Sequence, residues 1–404
     1  MQNSSHLSLF NYTIVGAGAS GLWLADSMLN KGLLKENTLC IIENDTNKVN
    51  DRTWCYWAKS PIGYQDIISK EWNLIKNLYR KNNPEIFPYK YYHVKSHDFY
   101  EHIKNRLKEN PNVFWKNDSV IDVNQIAEKK IIIRSGQESW VSNYVFLSSL
   151  PTSSKTAEQQ KLTHYLGKQV EEESLFLWQS FVGYRIKTSK PFFNPLEMIM
   201  MDFNTPQSKF TQFFYELPFS ENEALVEFTR FGTQILDYDY AIKQIEDRLK
   251  AKNIAYEILE IEKGAIPMSP KFDHLKNYLP ESQNIIYIGA LAGALKPTTG
   301  YGFKRMYHYA EKLAQALKQK GNSPLPTMKR KWRFRLYDIL LLQILNDTPY
   351  LGKSIFEALF KNQPITRILK FLDEDTTIFE EILIFSRLSI VPFLKSLFRY
   401  CFIK

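Results

Sequence analysis

The sequence predicts an α/β protein in which a Rossmann-type dinucleotide-binding domain carries an inserted antiparallel β-sheet domain and ends in a helical region. Three patterns predict this class. A glycine-rich turn joins a short strand to a helix near the start, apolar and aromatic residues alternate through the middle, and residues 331–404 have helical periodicity.

Composition places the chain among globular proteins. Of its 404 residues, 44% are hydrophobic and 24% are charged, which is enough to build a core and excludes a disordered chain. The three cysteines are scattered, so we expect no disulfide framework and a reducing, cytoplasmic location. The net charge of +9 indicates a polyanionic partner.

The same survey narrows the choice of partner. The sequence has no signal-peptide pattern and no run of roughly 18 apolar residues, so we expect a protein that meets a membrane only at its periphery. Lys and Arg are spread along the chain without a recognised nucleic-acid module, which favours anionic membrane lipids over nucleic acid. The seven histidines are dispersed, and no metal site is expected.

The first element is a strand, a glycine turn and a helix, followed by a second strand. Residues 12–15 are apolar, and the turn after them has the spacing Gly-x-Gly-x-x-Gly, in which backbone amides and a helix N-terminus face a pyrophosphate. Glu43 ends the second strand, where an acid accepts a hydrogen bond from an adenosine ribose. The cofactor-binding residues expected here are Gly16, Gly18, Ser20, Gly21 and Glu43.

A second glycine-rich segment, late in the chain, distinguishes FAD from NAD. Residues 285–288 form an apolar strand, and a glycine-rich stretch leads from it into another helix. In flavoproteins with an N-terminal dinucleotide fold, such an element closes over the cofactor and directs a helix dipole at the flavin ring, which favours the reduced, anionic flavin. The FAD-binding residues expected in this segment are Gly289, Gly293, Pro297, Thr299, Gly300 and Tyr301.

Between the two glycine segments, residues 176–231 alternate apolar and aromatic side chains, as the strands of a sheet do. An inserted sheet in this position would lie over the flavin and form the substrate domain, although alternating aromatic residues also build ordinary cores. The expected organisation is an FAD-binding segment with a helical insert over 1–170, mainly substrate-domain sheet over 171–270, a return to the FAD-binding domain over 271–330, and a helical region over 331–404.

The helical region mixes basic and aromatic residues, for example around Trp332 and Phe398. This pattern is typical of amphipathic helices at a membrane surface, and it also fits helices that pack on a core. A lipid substrate would favour the membrane.

Several segments resemble the lycopene cyclase family, and together they extend over most of the chain. The most specific is residues 50–57, Asn-Asp-Arg-Thr-Trp-Cys-Tyr-Trp, which follows soon after the second strand. The other matching segments are 201–203, 217–220, 225–229, 264–268 and 296–304.

The resemblance implies a function that composition and spacing do not give. Members of the family bind FAD, require its reduced form, take electrons from NAD(P)H, and convert linear lycopene to gamma-carotene and then beta-carotene without net oxidation. The acidic residue essential in the family corresponds to Glu227. Many relatives carry a second acid where this chain has Phe228, so the motif keeps one carboxylate, with Asp202 and Glu216 as candidate assistants.

Ring closure requires a proton on a terminal double bond, attack by the neighbouring double bond on the resulting cation, and loss of a proton from the ring. Alkenes are weak bases, so we expect Glu227, in a dry pocket that raises its pKa, to be the acid or a stabiliser of the cation. Arg52 is expected near the flavin, paired with Asp51 or with a flavin phosphate. The residues expected to line the aromatic substrate pocket are Trp54, Trp57, Phe213, Tyr215 and Phe228.

Other functions fit parts of the sequence. Flavin-dependent hydroxylases, halogenases and isoprenoid reductases share this architecture, but many hydroxylases carry Asp where this chain has Ala290, which favours a cyclase. A non-catalytic flavin or carotenoid carrier would keep the fold, and the retention of Glu227 argues against it. A further acidic cluster, residues 371–376, is interpreted as a helix cap in the tail, far from the flavin elements.

Overall fold

A computed structural model of the protein describes residues 7–45, 53–76, 78–79, 85–152, 175–207, 209–271, 282–319 and 325–402, and every structural statement below concerns these residues. They have the predicted fold class: a Rossmann-type α/β domain, an antiparallel sheet domain and a C-terminal group of helices.

The elements are numbered in chain order. The strands are β1 (Leu9–Val15), β2 (Leu39–Ile42), β3 (Thr53–Ala58), β4 (Ile68–Trp72), β5 (Leu74–Ile75), β6 (Lys90–Lys95), β7 (Val113–Lys116), β8 (Val120–Ala127), β9 (Lys130–Ser135), β10 (Ser139–Leu147), β11 (Leu177–Thr188), β12 (Glu197–Asp202), β13 (Thr211–Pro218), β14 (Glu223–Gly232), β15 (Tyr256–Met268) and β16 (Ile285–Tyr287). The helices are α1 (Ala19–Asn30), α2 (Ser96–Lys108), α3 (Tyr238–Ala251), α4 (Phe303–Lys318), α5 (Trp332–Asp347), α6 (Leu351–Asn362), α7 (Ile365–Leu372), α8 (Ile378–Phe385) and α9 (Ile390–Phe402).

Sheet A is the Rossmann sheet, with the strand order β7-β2-β1-β10-β9-β8 and β16 added beside β10. The pairs β7·β2, β2·β1, β1·β10 and β10·β16 are parallel. Both faces of the central strands are covered, and all four residues of β2 are buried, as expected for parallel strands. The carboxyl end of β1 therefore leads into the glycine turn from a rigid position.

Helix α1 lies against sheet A and is buried on all sides. Residues 19–28 are all buried, because α2 and α4 flank the helix. The ring of Trp23 has no exposed surface and lies 4.7 Å from the ring of Phe99 on α2 and 5.5 Å from that of Phe303 on α4. The buried carboxylate of Asp26 on this helix pairs with Arg106 on α2 at 3.0 Å, so the helix can lie inside the core. This packing holds the N-terminus of α1 in place beside the glycine turn.

Sheet B is the inserted sheet, with the order β15-β11-β14-β13-β12-β5. Its neighbouring strands are antiparallel, except that β5 runs parallel to β12. One face packs on α3 through an apolar cluster, and the other face packs on β3, β6 and the C-terminal helices. The sheet therefore has two buried faces with different neighbours.

Sheet C, with the order β3-β6-β4, lies in the part of the chain where we expected a helical insert. The described residues between β2 and α2 form strands because they are rich in aromatic and β-branched side chains, which favour extended backbone. Sheet C connects sheet A with the face of sheet B that is opposite α3.

Buried ion pairs attach the C-terminal helices to the late glycine segment. Lys296 in that segment is 3% exposed; its Nζ lies 2.8 Å from Asp338 Oδ1 on α5 and 3.4 Å from Glu374 Oε1 after α7. Arg330 pairs with the same two carboxylates, and Thr298 Oγ1 donates to Asp338 at 2.7 Å. The helical region thus packs on the late glycine segment through buried ion pairs.

Two acids of the segment 371–376, Asp373 and Glu374, pair with basic residues of the late glycine segment and of α4. Our placement of this segment far from the flavin elements was therefore wrong. Asp373 pairs with Lys304, and Glu374 pairs also with Arg305, both on the first turn of α4. The chain folds back after α7 and brings these acids to basic residues distant in sequence. The residue that caps α8 is Thr377, which accepts a hydrogen bond from the Glu380 amide.

None of the helices in the described ranges combines the length and the apolar character needed to cross a bilayer.

Glu374→Gln is expected to lower the free energy of unfolding by about 3–5 kcal/mol, because Lys296 and Arg330 would lose a buried partner. Burial alone would raise the pKa of Glu374, but Lys296, Arg305 and Arg330 outweigh it and hold the pKa at about 2. The stabilisation is therefore present above the ordinary pKa of glutamate and is lost as pH falls toward 2.

Urea unfolding at neutral and acid pH measures this effect. The control is Glu357→Gln, which removes a partly exposed pair with Lys353 at 3.7 Å and should change stability by less than about 1 kcal/mol. Similar small losses in both variants would contradict the role of Glu374.

Candidate functional site

The glycine turn closes tightly against the end of β1. Gly16 has a left-handed φ of +94°, and a Cβ there would lie 2.2 Å from Ser148 Oγ. A Cβ on Gly21 would lie 2.1 Å from the carbonyl oxygen of Gly16, so only glycine lets α1 approach the strand this closely. Gly18, in contrast, has a φ of −80° and open space at its Cβ position. The turn is crowded at its ends and open at its centre.

Glu43 reaches this turn from the second strand. Its Oε2 accepts a hydrogen bond from the Ala17 amide at 2.8 Å, and its Oε1 accepts one from the Asp45 amide at 3.0 Å. A carboxylate held beside the turn is in the region where an adenosine ribose is bound in dinucleotide folds. Arg52, the remaining cofactor-binding residue expected near here, lies outside the described residues.

The late glycine segment contacts the early one. Gly289 has a φ of +63°, and a Cβ there would lie 2.5 Å from Ser20 Oγ on the first turn of α1. Gly293 and Gly300 also have left-handed φ values, of +78° and +68°. A Cβ on Gly300 would lie 2.5 Å from Ile266 Cγ2 on β15. The segment therefore packs against the nucleotide turn at one end and against sheet B at the other.

Two carboxyl groups face each other across one strand of sheet B. Gly183 on β11 lies opposite Glu227 on β14 and opposite Glu262 on β15. Residues opposite one another point to the same face of a sheet, so both glutamates border the place where a side chain at position 183 would stand. A Cβ on Gly183 would lie 3.0 Å from Glu262 Cγ. The absence of a side chain lets the two carboxyl groups interact directly.

A threonine orients each carboxyl group. Thr229 Oγ1 donates to Glu227 Oε1 at 2.6 Å, and Thr53 Oγ1 donates to Glu262 Oε2 at 2.7 Å. Thr229 is two residues beyond Glu227 on the same face of β14, and Thr53 begins β3. Within the described ranges, no donor reaches the buried Oε1 of Glu262. That oxygen can be satisfied by a proton carried on the other carboxyl group.

The surroundings of this pair favour a proton on Glu227. Burial raises the pKa of Glu227 well above its usual range, the charge of Glu262 raises it further, and the Thr229 hydrogen bond offsets only part of this. Burial also raises the pKa of Glu262, while the hydrogen bonds from Thr53 and Glu227 oppose it. Both side chains keep some accessible surface although protein surrounds them, and Glu262 lines a small cavity together with Thr53, His93 and Arg185.

Tyr215 and Tyr301, next to this pair, line a small apolar cavity, which is called the cleft below. Tyr215 lies opposite Glu227 in the register of β13 and β14. The Tyr301 hydroxyl lies 3.0 Å from that of Tyr91 and hydrogen-bonds to that of Tyr215. The Trp57 ring meets the Tyr301 ring edge-on at 5.0 Å between centroids. Burial raises the pKa of all three tyrosines, so they are neutral phenols.

Trp54 does not line this cleft. Its ring stacks on Phe303 at 4.7 Å and meets Phe99 edge-on at 5.3 Å, inside the core of the Rossmann domain. Side chains alternate along a strand, so Trp54 and Trp57, three residues apart on β3, point to opposite faces. Our expectation that both would line the substrate pocket is therefore corrected for Trp54.

The same alternation separates the expected pocket residues of sheet B. Phe228, adjacent to Glu227, lies on the α3 face and has no exposed surface. The centroid of its ring lies 4.9 Å from that of Phe214. It is a core residue, and its expected place in the pocket is corrected. Phe213 is on the Glu227 face but is fully buried among apolar residues of the C-terminal helices, including Leu342.

The candidate assistants Asp202 and Glu216 are also on the α3 side. Asp202 pairs with Arg248 at 2.7 Å, and Glu216 pairs with Lys252 at 2.7 Å and with Arg248 at 3.5 Å. These pairs attach α3 to the sheet, and neither acid is near Glu227.

Sequence reasoning missed Glu262, Gly183 and Tyr91. Glu262 lies two residues before the segment 264–268, which carries part of the resemblance, yet nothing in the sequence gives the register that aligns it with Glu227. A glycine inside a long strand was the one signal of close approach between neighbouring side chains.

Comparison with known proteins gives a family model and curated relatives. A model described as "Lycopene cyclase protein" matches residues 12–398. The lycopene beta-cyclase of Paracoccus sp. is 27% identical over 188 residues, 45% of this chain and 48% of that protein. The chloroplastic neoxanthin synthase of Solanum lycopersicum is 22% identical over 329 residues, 78% of this chain and 61% of that protein. The chain thus spans about half to three fifths of the length of these relatives.

Two solved structures have a similar fold, and one of them is described as a flavoprotein. A geranylgeranyl bacteriochlorophyll reductase-like protein from Thermoplasma acidophilum has a TM-score of 0.52 at 14% identity, covering 97% of this chain and 96% of that chain. A flavoprotein/dehydrogenase from Cytophaga hutchinsonii has a TM-score of 0.53 at 12% identity, covering 94% and 100%. At these identities the likeness concerns the fold alone.

The residues present fit an FAD. The turn leaves open space at Gly18, a carboxylate stands beside it, and neither α1 nor α4 has a side-chain cap at its N-terminus, so their amides can face anionic groups. The residues that could hold the cofactor belong to the two glycine segments, together with Glu43 beside the first of them. They are Gly16, Gly18, Ser20, Gly21, Glu43, Gly289, Gly293, Pro297, Thr299, Gly300 and Tyr301.

Gly18→Ala is expected to leave the stability of the FAD-free protein unchanged but to weaken FAD binding about tenfold or more, because the added methyl group occupies space that the pyrophosphate needs. Gly16→Ala should instead destabilise the FAD-free protein by about 1–3 kcal/mol, because of its left-handed φ and the contact with Ser148. Thermal unfolding without FAD and fluorescence titration with FAD separate the two effects. Wild-type FAD affinity in Gly18→Ala would place the pyrophosphate elsewhere.

Proposed function

The chain belongs to the lycopene cyclase family, and from this premise we propose that it converts linear lycopene to gamma-carotene and then beta-carotene by a redox-neutral ring closure that Glu227 starts as the acid. The observation that carries the proposal is the Glu227 carboxyl group, whose pKa burial and the charge of Glu262 raise well above its usual range, and which lies opposite Tyr215 in sheet B, beside the apolar cavity that Tyr215 and Tyr301 line.

The reaction needs a carboxylic acid that stays protonated until an alkene lies beside it. The O–H bond of Glu227 breaks as a C–H bond forms at the terminal double bond of lycopene. The electron pair of the neighbouring double bond then closes the ring, and a C–H bond beside the cation supplies the pair for the new ring double bond. The substrate gains and loses one proton, so its mass is unchanged.

The aromatic wall suits a cationic intermediate. The rings of Trp57, Tyr215 and Tyr301 offer electron-rich faces that attract positive charge, and this attraction is strongest where water is excluded. The hydroxyl groups of Tyr91, Tyr215 and Tyr301 hydrogen-bond to one another, which reduces their ability to trap the cation as nucleophiles. This arrangement favours proton loss and ring formation over addition of oxygen.

Reduced FAD, with NAD(P)H as the electron donor, is part of the proposal. When bound, the reduced flavin supplies negative charge that stabilises a cation. The residues that would hold it are those of the two glycine segments. Tyr301 lies at the end of the second segment, immediately before α4, so the same short stretch of chain borders both the cofactor residues and the cleft.

A lipid substrate must reach this cleft from a membrane. An apolar cavity of about 40 Å³ extends from Tyr215 and Tyr301 to Phe356 on α6 and Leu372 on α7. It is too small for a carotenoid end group, so side chains of α6 and α7 must move to admit the substrate. The C-terminal helices therefore form the wall through which we propose lycopene enters.

The same helices present an apolar surface, which we propose binds the membrane. Basic side chains of Arg387 and Lys395 are exposed beside it and would meet anionic headgroups. The exposed apolar residues are Ile378, Phe379 and Ile382 on α8, and Ile390, Val391, Leu394, Phe398 and Phe402 on α9.

The first test of the proposal is conversion of lycopene. Wild-type protein with lycopene in liposomes, FAD and NADPH under anaerobic conditions should give products of unchanged mass and shorter-wavelength absorption. Glu227→Gln should lower the rate about 10²-fold or more, because it removes the acid but keeps the shape. Glu221→Gln, an exposed carboxylate just before β14, should react as wild type. Activity of the wild type should also fall as pH rises through the raised pKa of Glu227.

Other products would identify another reaction. A gain of oxygen would favour a hydroxylase, a gain of hydrogen would favour a reductase, and full activity of Glu227→Gln would exclude this residue as the acid.

Membrane binding is tested separately by sedimentation with vesicles of phosphatidylcholine, with and without phosphatidylserine. Phe398→Glu should lower the bound fraction, since burial of one Phe contributes about 1.5–3 kcal/mol. The control is Ile126→Glu on β8, which is 54% exposed and outside the helical region. Equal binding of both variants and the wild type would argue against the α8–α9 surface.

A further inference from the structure

We propose that Glu227 and Glu262 act as a pair that shares one proton across Gly183, with Glu262 as the positioning residue that keeps the proton of Glu227 in place. The inference rests on the proposed ring closure and adds to it a residue from a different strand. It replaces the second acid that the Glu227 motif lacks in this chain.

The geometry of sheet B supports the pair. Gly183 is in the interior of β11, a twelve-residue strand paired on both sides, where glycine weakens a sheet and therefore calls for a local reason. Its two cross-strand partners are both glutamates, and a Cβ at this position would also lie 3.0 Å from Leu225 Cδ1. The glycine leaves room for two long acidic side chains to meet above the middle strand.

The hydrogen bonds require one proton between the two groups. The threonine hydroxyls occupy Oε1 of Glu227 and Oε2 of Glu262. The buried Oε1 of Glu262 has no donor among the described residues, so a proton on Glu227 would satisfy it. Two ionised carboxylates this close and this well buried would repel each other, whereas one shared proton turns the contact into a hydrogen bond.

The charged neighbours favour a proton on Glu227 rather than on Glu262. Arg185, on β11 two residues beyond Gly183, favours ionised Glu262, and Glu260 opposes it. Burial lowers the pKa of His93 to about 3, so this residue adds no charge. The other titratable groups facing the pair are Lys95 on β6, Cys55 on β3, and the phenols Tyr91, Tyr215 and Tyr301.

The pair returns to its starting state in each cycle. After Glu227 gives its proton to the alkene, two carboxylates face the new cation and attract it. When the ring loses a proton, one carboxylate takes it, the electron pair of the C–H bond becomes the ring double bond, and the single shared proton is restored. The cycle consumes no oxidant, reductant or additional acid.

Kinetics of Glu262→Gln as a function of pH test the pair in the FAD-loaded protein. The amide keeps the Thr53 hydrogen bond but removes the charge that helps Glu227 hold its proton. We expect kcat to fall about tenfold or more at the pH optimum of the wild type, KM to stay unchanged, and the alkaline limb of the kcat profile to move by about one unit or more to lower pH. Glu262→Asp should recover part of both effects. Glu257→Gln, an exposed carboxylate on the same strand, should match the wild type.

Each outcome decides between specific readings. The pair would be overturned if the pH profile of Glu262→Gln equalled that of the wild type, or if this variant lost activity without movement of the alkaline limb. Either result would leave the proposed conversion of lycopene by the wild type standing. A wild-type protein that does not cyclise lycopene would overturn the proposed function instead.

Infrared spectroscopy provides a readout without turnover and remains informative if Glu262→Gln does not fold. The wild type at neutral pH should show the C=O stretch of a protonated, buried carboxyl group. This band should disappear in Glu227→Gln and shift in Glu262→Asp. Absence of the band from the wild type, or a band unchanged in Glu227→Gln, would overturn the shared proton.

Discussion

The buried charge of Lys296 is the constraint on which the arrangement of the protein depends. A lysine with 3% exposure must have carboxylate partners, and these come from α5 and from the turn after α7. The ion pairs therefore fix the C-terminal helices to the late glycine segment. That segment in turn touches the nucleotide turn through Gly289 and sheet B through Gly300. One short stretch of chain thus joins all the parts that surround the cleft.

The two sets of buried acids described here have opposite pKa shifts and opposite effects on the stability of the fold. Around Glu374, cations surround the acid, hold its pKa low and stabilise the fold. Around Glu227, burial raises the pKa and the charge of Glu262 raises it further, so burial of the pair costs stability. An acid whose burial costs stability is expected where that acid must remain protonated for chemistry. Here it lies in a protein whose buried ion pairs around Glu374 are stabilising.

Strand alternation accounts for the expectations that failed. Trp54 and Phe228 were assigned to the pocket because they neighbour or resemble pocket residues in sequence, but each points to the opposite face of its strand. Trp57 lies on the face of β3 that meets the Tyr301 ring, and Tyr215 lies on the Glu227 face of sheet B, so their place in the substrate pocket stays a prediction. Composition identifies aromatic segments. The face on which each ring lies depends on the alternation of side chains along the strand, and an error of one residue in the pairing register moves every ring to the opposite face.

The sequence by itself determined the fold class, the two glycine segments and the family, because glycine spacing and the strand–turn–helix order are local properties that only a few backbone conformations satisfy. It also determined that the 225–229 motif keeps one acid, Glu227. Only the tertiary structure decided what that acid faces. Glu262 is brought to it by the register of β11 with two neighbouring strands, and the acids of 371–376 reach the flavin segment through folding of the chain after α7. Such contacts join residues distant in sequence, and their geometry follows from packing and pairing that no local pattern encodes.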